Sequence, residues 1–266
     1  MIGTYVSYRS TIDNMKKTLD RLLKEPQVKR ETDYYVQNIA SARSMDDFFA
    51  DDKLYRYAMK AYGLEEMIYA KGMMRKVLSD PLYALQLTDK RYQQFAEAFN
   101  FNLHGEKTTL QNSAQSATVN KYMQQTLEVQ VGQDNEGTRL ALYFTRTIGG
   151  MANEGLISEK NWAYQILGDK ALSAVVFTAL GIPENVRSSK IEAQKSLLES
   201  RMSVQDLKDP KKLEQFIARF SALYDAQNQA EINPALMILQ SSNSVSGISF
   251  SNDTIMALQS LKRGGL

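Results

Sequence analysis

The chain reads as an all-α protein, a multi-helix bundle, and three observations carry that reading. Helix-favouring residues dominate, and each of the five prolines falls beside a boundary between periodic segments. Apolar residues recur at spacings of three and four through most of the sequence. No stretch alternates apolar and polar residues over four or more positions between turn pairs, the mark of a half-buried strand.

The elements follow in order. Residues 9–24 form the first predicted helix, stopped before Pro26. Residues 28–42 form a second, with Tyr35, Ile39 and Ala42 on one face. Ser44 opens another start, since its hydroxyl accepts a free backbone N–H and Asp46 and Asp47 suit the positive helix end. The helix at 52–62 closes at Gly63, which takes the left-handed cap conformation cheaply. A helix at 64–79 runs to Asp80-Pro81, and one at 90–100 takes Thr88 as its cap. NLHGEKTTLQN, residues 102–112, reads as a loop.

Residues 113–147 are a long helical stretch ended by Gly149-Gly150. Gly132 and Gly137 flank the polar run QDNE, so this is one helix with a break or a helix pair. Ser158 caps a helix to Gly168. Residues 169–180 form the most apolar helix, closed by Gly181 and Pro183, and 184–202 a charged amphipathic one. Ser203 to Asp206 resembles a capping box with Asp in place of Glu, and Asp209-Pro210 opens a helix over 211–229. Residues 241–249 read as a flexible link to a short last helix, 252–262.

This pattern predicts two helical lobes, residues 1–112 and 151–240, joined by the central segment 113–150 and followed by the tail 241–266. The halves echo each other. DDKLYRYAMKAYGL (51–64) aligns without gaps on DKALSAVVFTALGI (169–182), pairing Leu54, Tyr57, Ala58 and Ala61 with Leu172, Val175, Val176 and Ala179. Asp80-Pro81 pairs with Asp209-Pro210, and Tyr92, Phe95, Ala96 and Phe99 with Leu213, Phe216, Ile217 and Phe220. A duplication explains the echo, as does the general likeness of amphipathic helices that end in glycine.

Composition removes several classes of function. The 32 basic and 30 acidic residues leave a net charge of +2, so no sequence-wide field holds a nucleic-acid backbone. The best local candidate, 186–201, offsets Arg187, Lys190, Lys195 and Arg201 with Glu192 and Glu199. With no cysteine there is no disulfide, thiolate metal site or cysteine nucleophile. The N-terminus carries no basic and apolar signal pattern. The apolar run 171–180 is half the roughly 20 residues that a membrane span needs. A cytoplasmic address is expected, although a cysteine-free composition also suits an exported chain.

The sequence predicts no catalytic, cofactor-binding or metal residues. His104, the single histidine, lies in the polar loop, so no histidine pair exists for a metal and no G-x-S-x-G elbow supplies a serine nucleophile. Phosphate-binding glycine loops and an EF-hand pattern are missing. The pairs Asp46-Asp47, Asp51-Asp52 and Glu65-Glu66 sit near helix starts and serve the terminus. Trp162 and Ile166 read as core, as do Met59, Met67, Met73 and Met74, although methionine also suits adaptable binding surfaces. The tail residues Phe250, Ile255, Leu258 and Leu261 form an apolar stripe that either docks on the chain itself or binds a groove in a partner.

Several strings resemble the alphaproteobacterial family known as domain of unknown function 1217. They are Tyr34-Tyr35, DDFFADDKLYRYAMKAYGLEEM (46–67), TDKRYQQFAEAFNF (88–101), EGTRLALYFTR (136–146) and YQILGDKAL (164–172). The resemblance covers most of the chain to about residue 225. It implies a helical fold and, because several members are encoded near flagellar genes, a flagellar link; it brings no catalytic residues. The reading that follows is a non-catalytic structural or assembly protein acting through protein contacts, with a flagellar component as partner. The alternative is a helical small-molecule-binding protein or enzyme that uses carboxylates, tyrosines and arginines, with Arg139, Tyr143 and Arg146 on one helix.

Overall fold

The computed structural model describes residues 3–153, 155 and 157–232, and the chain divides into two compact units, 1–225 and 226–266. All regular structure among the described residues is helical. The helix predicted at 9–24 is two helices, α1 (Thr4–Asp13) and α2 (Met15–Leu22), parted at Asn14. Next come α3 (Pro26–Asn38), α4 (Met45–Ala50) and α5 (Asp52–Ala61). Ser44 and Asp47 complete a full capping box on α4. The predicted helix 64–79 is a 3-10 turn at Glu65–Met67 and then α6 (Lys71–Ser79). Then follow α7 (Pro81–Gln86) and α8 (Lys90–Ala98), the latter capped by Asp89 and not by Thr88. The expected loop is instead α9 (Phe101–His104) and a 3-10 segment, Gly105–Leu110. Buried Thr108 and Thr109 hold that segment down: Thr109 donates to the Ala42 carbonyl at 3.0 Å.

The long central stretch is a helix pair, α10 (Ser116–Asp134) and α11 (Glu136–Asn153). Glu128 of α10 pairs with Arg146 of α11, and Gly132 lies against the Arg139 side chain, so the two pack as a hairpin. Gly149-Gly150 does not end α11; the helix runs through it to Asn153. The second half continues with α12 (Trp162–Leu167), which starts four residues after Ser158, and α13 (Lys170–Ala179). The predicted helix 184–202 is a 3-10 turn, Glu184–Ser188, and α14 (Ile191–Arg201). Ser203 and Asp206 form the expected capping box on α15 (Val204–Lys208), and α16 spans Pro210–Ile232. The two Asp-Pro pairs are not equivalent: one opens the six-residue α7 and the other the 23-residue α16.

Unit 1–225 holds two hydrophobic clusters. The first is aromatic: Tyr35, Tyr57 and Tyr122 stack with centroids 4.3 and 3.9 Å apart, beside Phe48, Phe95 and Phe99. Met59 and Met74 lie inside it, and Met67 and Met73 pack on its edge. The second is built from Phe144, Trp162, Ile166, Leu172, Val175, Phe177 and Phe220. Helix α10 faces the first and α11 the second, and Val131 near the turn of the hairpin packs on both. Helix α1 joins the second cluster through Tyr8, fixed by Thr4, whose amide and hydroxyl both donate to Asp225 at 2.9 and 2.5 Å.

Candidate functional site

The polar residues singled out on α11 lie in a seam between the two clusters. Arg146 donates twice to Glu128, at 2.6 and 2.9 Å, in the planar two-point geometry that suits guanidinium and carboxylate. Glu128 is 4% exposed, so its charge depends on that partner. Burial by itself lowers the pKa of the Arg146 guanidinium, and the bonds and charge of Glu128 more than offset this and raise it. Tyr143 donates to Asp169 Oδ2 at 2.5 Å; burial first, and then the Asp169 charge, pushes the phenol well above its ordinary value. Arg139 turns aside to pair with Glu136.

Arg91 borders the same seam from α8. It binds Asp89 and Glu66 and donates to the Gly63 carbonyl, and its charge is felt at Tyr143. Thr88 lies against Gly168, where a Cβ would stand 3.5 Å from the Thr88 carbonyl oxygen. Arg91, Arg139 and Arg146 thus each meet a carboxylate of the chain itself, and only the Arg146 partner, Glu128, is buried. Two surface depressions lie elsewhere. One, of about 460 Å³, is lined by Asp52, Arg56, Glu65 and Lys71; the other, of about 250 Å³, runs between Val36 and Val119.

His104 ends α9, half-buried. Among the described residues no group of three or more His, Cys, Asp or Glu could hold a metal ion, and no helix is long and apolar enough to cross a membrane. The stripe of Phe250, Ile255, Leu258 and Leu261 lies outside the described residues.

One apolar surface escaped the sequence reading. Leu82 is 70% exposed and Leu85 50%, one turn apart on α7, while Ala84 on the opposite side is buried. Asn102 donates to the Ser79 carbonyl at 2.6 Å and holds α9 at the corner of α6 and α7, where Leu103 is also exposed. The available signal was PLYALQ, whose leucines are three apart on a helix too short to bury both sides.

Fold and surface together define an all-α protein with two cores and a paired polar seam. The sequence profile of the family described as protein of unknown function (DUF1217) matches residues 61–213, more than half of the chain. The chain belongs to that family. It is also similar to the X-ray crystal structure of a structural-genomics target protein from Agrobacterium tumefaciens. The two share 39% identity and a TM-score of 0.75, over 85% of this chain and 94% of that one. No curated protein matches.

Proposed function

We propose that this is a non-catalytic helical structural or assembly protein that acts through protein contacts, with a flagellar component as its partner. The observation that carries the reading is the exposure of Leu82 and Leu85 on α7 and of Leu103 on α9, large apolar side chains left in water. The pairing of Arg146 with Glu128 supports the same reading, because it ties α11 to α10, while Arg91 and Arg139 are engaged by the neighbouring carboxylates Asp89 and Glu136. The flagellar component and the cytoplasmic or flagellar address come from the gene neighbourhood that the family resemblance implies. The apolar tail stripe would add a second contact.

The test is co-purification from motile host cells with the full chain, the triple variant Leu82→Asp, Leu85→Asp, Leu103→Asp, and a chain ending at residue 240. The full chain should recover a flagellar component and the triple variant should lose it. Failure of the full chain to recover any such component, with normal swimming of a deletion strain, would remove the reading.

A further inference from the structure

We propose that the two cores are built on two copies of one three-helix unit, α3–α4–α5 and α11–α12–α13. In both, a long helix leads to a six-residue helix and then to a ten-residue core helix. Asp51 Oδ1 accepts from the amides of Lys53 and Leu54 at 3.0 and 3.1 Å. Asp169 Oδ1 accepts from those of Ala171 and Leu172 at 2.8 and 2.9 Å. The other carboxylate oxygen takes a tyrosine hydroxyl from the long helix, Tyr34 at 2.8 Å or Tyr143 at 2.5 Å. A cation covers each tyrosine ring, Lys53 at 4.6 Å and Arg146 at 5.3 Å.

The far ends agree as well. Gly63 and Gly181 have φ of +67° and +61°. Gly63 N–H donates to Lys60 and Leu64 N–H to Met59, at 3.0 and 2.8 Å; Gly181 donates to Thr178 and Ile182 to Phe177 at the same two distances. A 3-10 turn follows each core helix. Leu54, Tyr57, Ala58, Met59, Ala61 and Leu64 are buried, and so are Leu172, Val175, Val176, Phe177, Ala179 and Ile182 at the gapless equivalent positions.

An aspartate cap and a glycine stop each recur on unrelated helices. The tyrosine latch does not follow from either, because it joins the cap to a different helix, across 17 residues in one copy and 26 in the other. The copies diverge beyond the capped helix: α14 packs on α12, whereas α6 lies against α7, α8 and α9.

The test replaces residues 51–64 of the full chain with the sequence of 169–182. A control carries the same fourteen residues permuted by one position, which turns the buried stripe away from the core. The graft should keep helical circular dichroism and a cooperative melt at a lowered midpoint, since Ser173, Val175 and Leu180 are smaller than Tyr55, Tyr57 and Tyr62. A graft that unfolds while the control folds, or a folded graft whose midpoint is no higher than that of a folded control, overturns the proposal. Should both chains fail to fold, two double-mutant cycles decide, Tyr34→Phe with Asp51→Asn and Tyr143→Phe with Asp169→Asn. Couplings of like sign and size support it; coupling in one copy and none in the other overturns it.

Discussion

At the scale of single residues, Glu128 and Arg146 are the pair whose loss should be felt most. Glu128 is buried and its charge is met by two guanidinium bonds, so Arg146→Met leaves a buried carboxylate without its partner. Breaking such a pair from one side costs about 3–5 kcal/mol, and the partial wetting of Arg146 places this one near the lower end. The double variant Glu128→Gln, Arg146→Met removes the stranded charge and should recover most of the loss. Urea unfolding of the three chains measures both; a double variant no better than Arg146→Met alone would contradict the account. Gly137 makes a second residue-scale case. A Cβ there would meet the Tyr224 ring at 2.5 Å and the Thr4 hydroxyl at 2.8 Å. Gly137→Ala should therefore cost stability through overpacking, about 1–3 kcal/mol, seen as a lower urea midpoint. At Gly132 the nearest atoms belong to the Arg139 side chain, whose outer carbons can shift, so Gly132→Ala should be milder.

At the scale of elements, the caps decide where helices begin and end. Asp51→Ala removes two backbone bonds and the Tyr34 partner, and should cost about 1–2 kcal/mol in the thermal or urea midpoint. Such caps were legible from sequence at Ser44, Gly63, Ser203 and Gly181 because they are local chemistry. Interruptions were not. Residues 9–24 have one continuous apolar rhythm, but α1 serves the second cluster and α2 the first, so the chain must turn at Asn14. Residues 102–112 looked like a loop because they are polar; Thr108 and Thr109 are buried only because backbone carbonyls await their hydroxyls. Of the polar seam, Tyr143 and Arg146 were visible as residues of one helix, together with Arg139. Their partners were not, since Glu128 and Asp169 come from other helices and Arg91 from the other half of the chain. The exposed leucines were missed because periodicity reports which residues are apolar, and burial depends on what lies opposite.

At the scale of the whole molecule, the 14 tyrosines tie stability to alkaline pH. Burial pushes Tyr55 and Tyr62 up to about 12, Tyr57 and Tyr122 further, and Tyr35 well above its ordinary value, and four of these five line the Tyr35–Tyr57–Tyr122 stack or lie on α5. An unfolded tyrosine loses its proton near pH 10. Between about pH 10 and 12 the folded chain therefore holds more protons than the unfolded one, and stability falls as pH rises. The stabilisation is fully present below about pH 10 and is lost as the pH climbs through the folded values. The first cluster should open before the second, which is built mainly on Trp162, Phe144, Phe177 and Phe220 and holds fewer buried phenols, Tyr8 within it and Tyr143 against it. Tyrosinate absorbance followed together with Trp162 fluorescence through an alkaline titration separates the two. Tyrosine ionisation should rise steeply and cooperatively above about pH 10, with the tryptophan signal changing at the same pH or later. A tryptophan transition that clearly precedes tyrosine ionisation would show that the second core, and not the stack of buried phenols, is where the molecule yields to base.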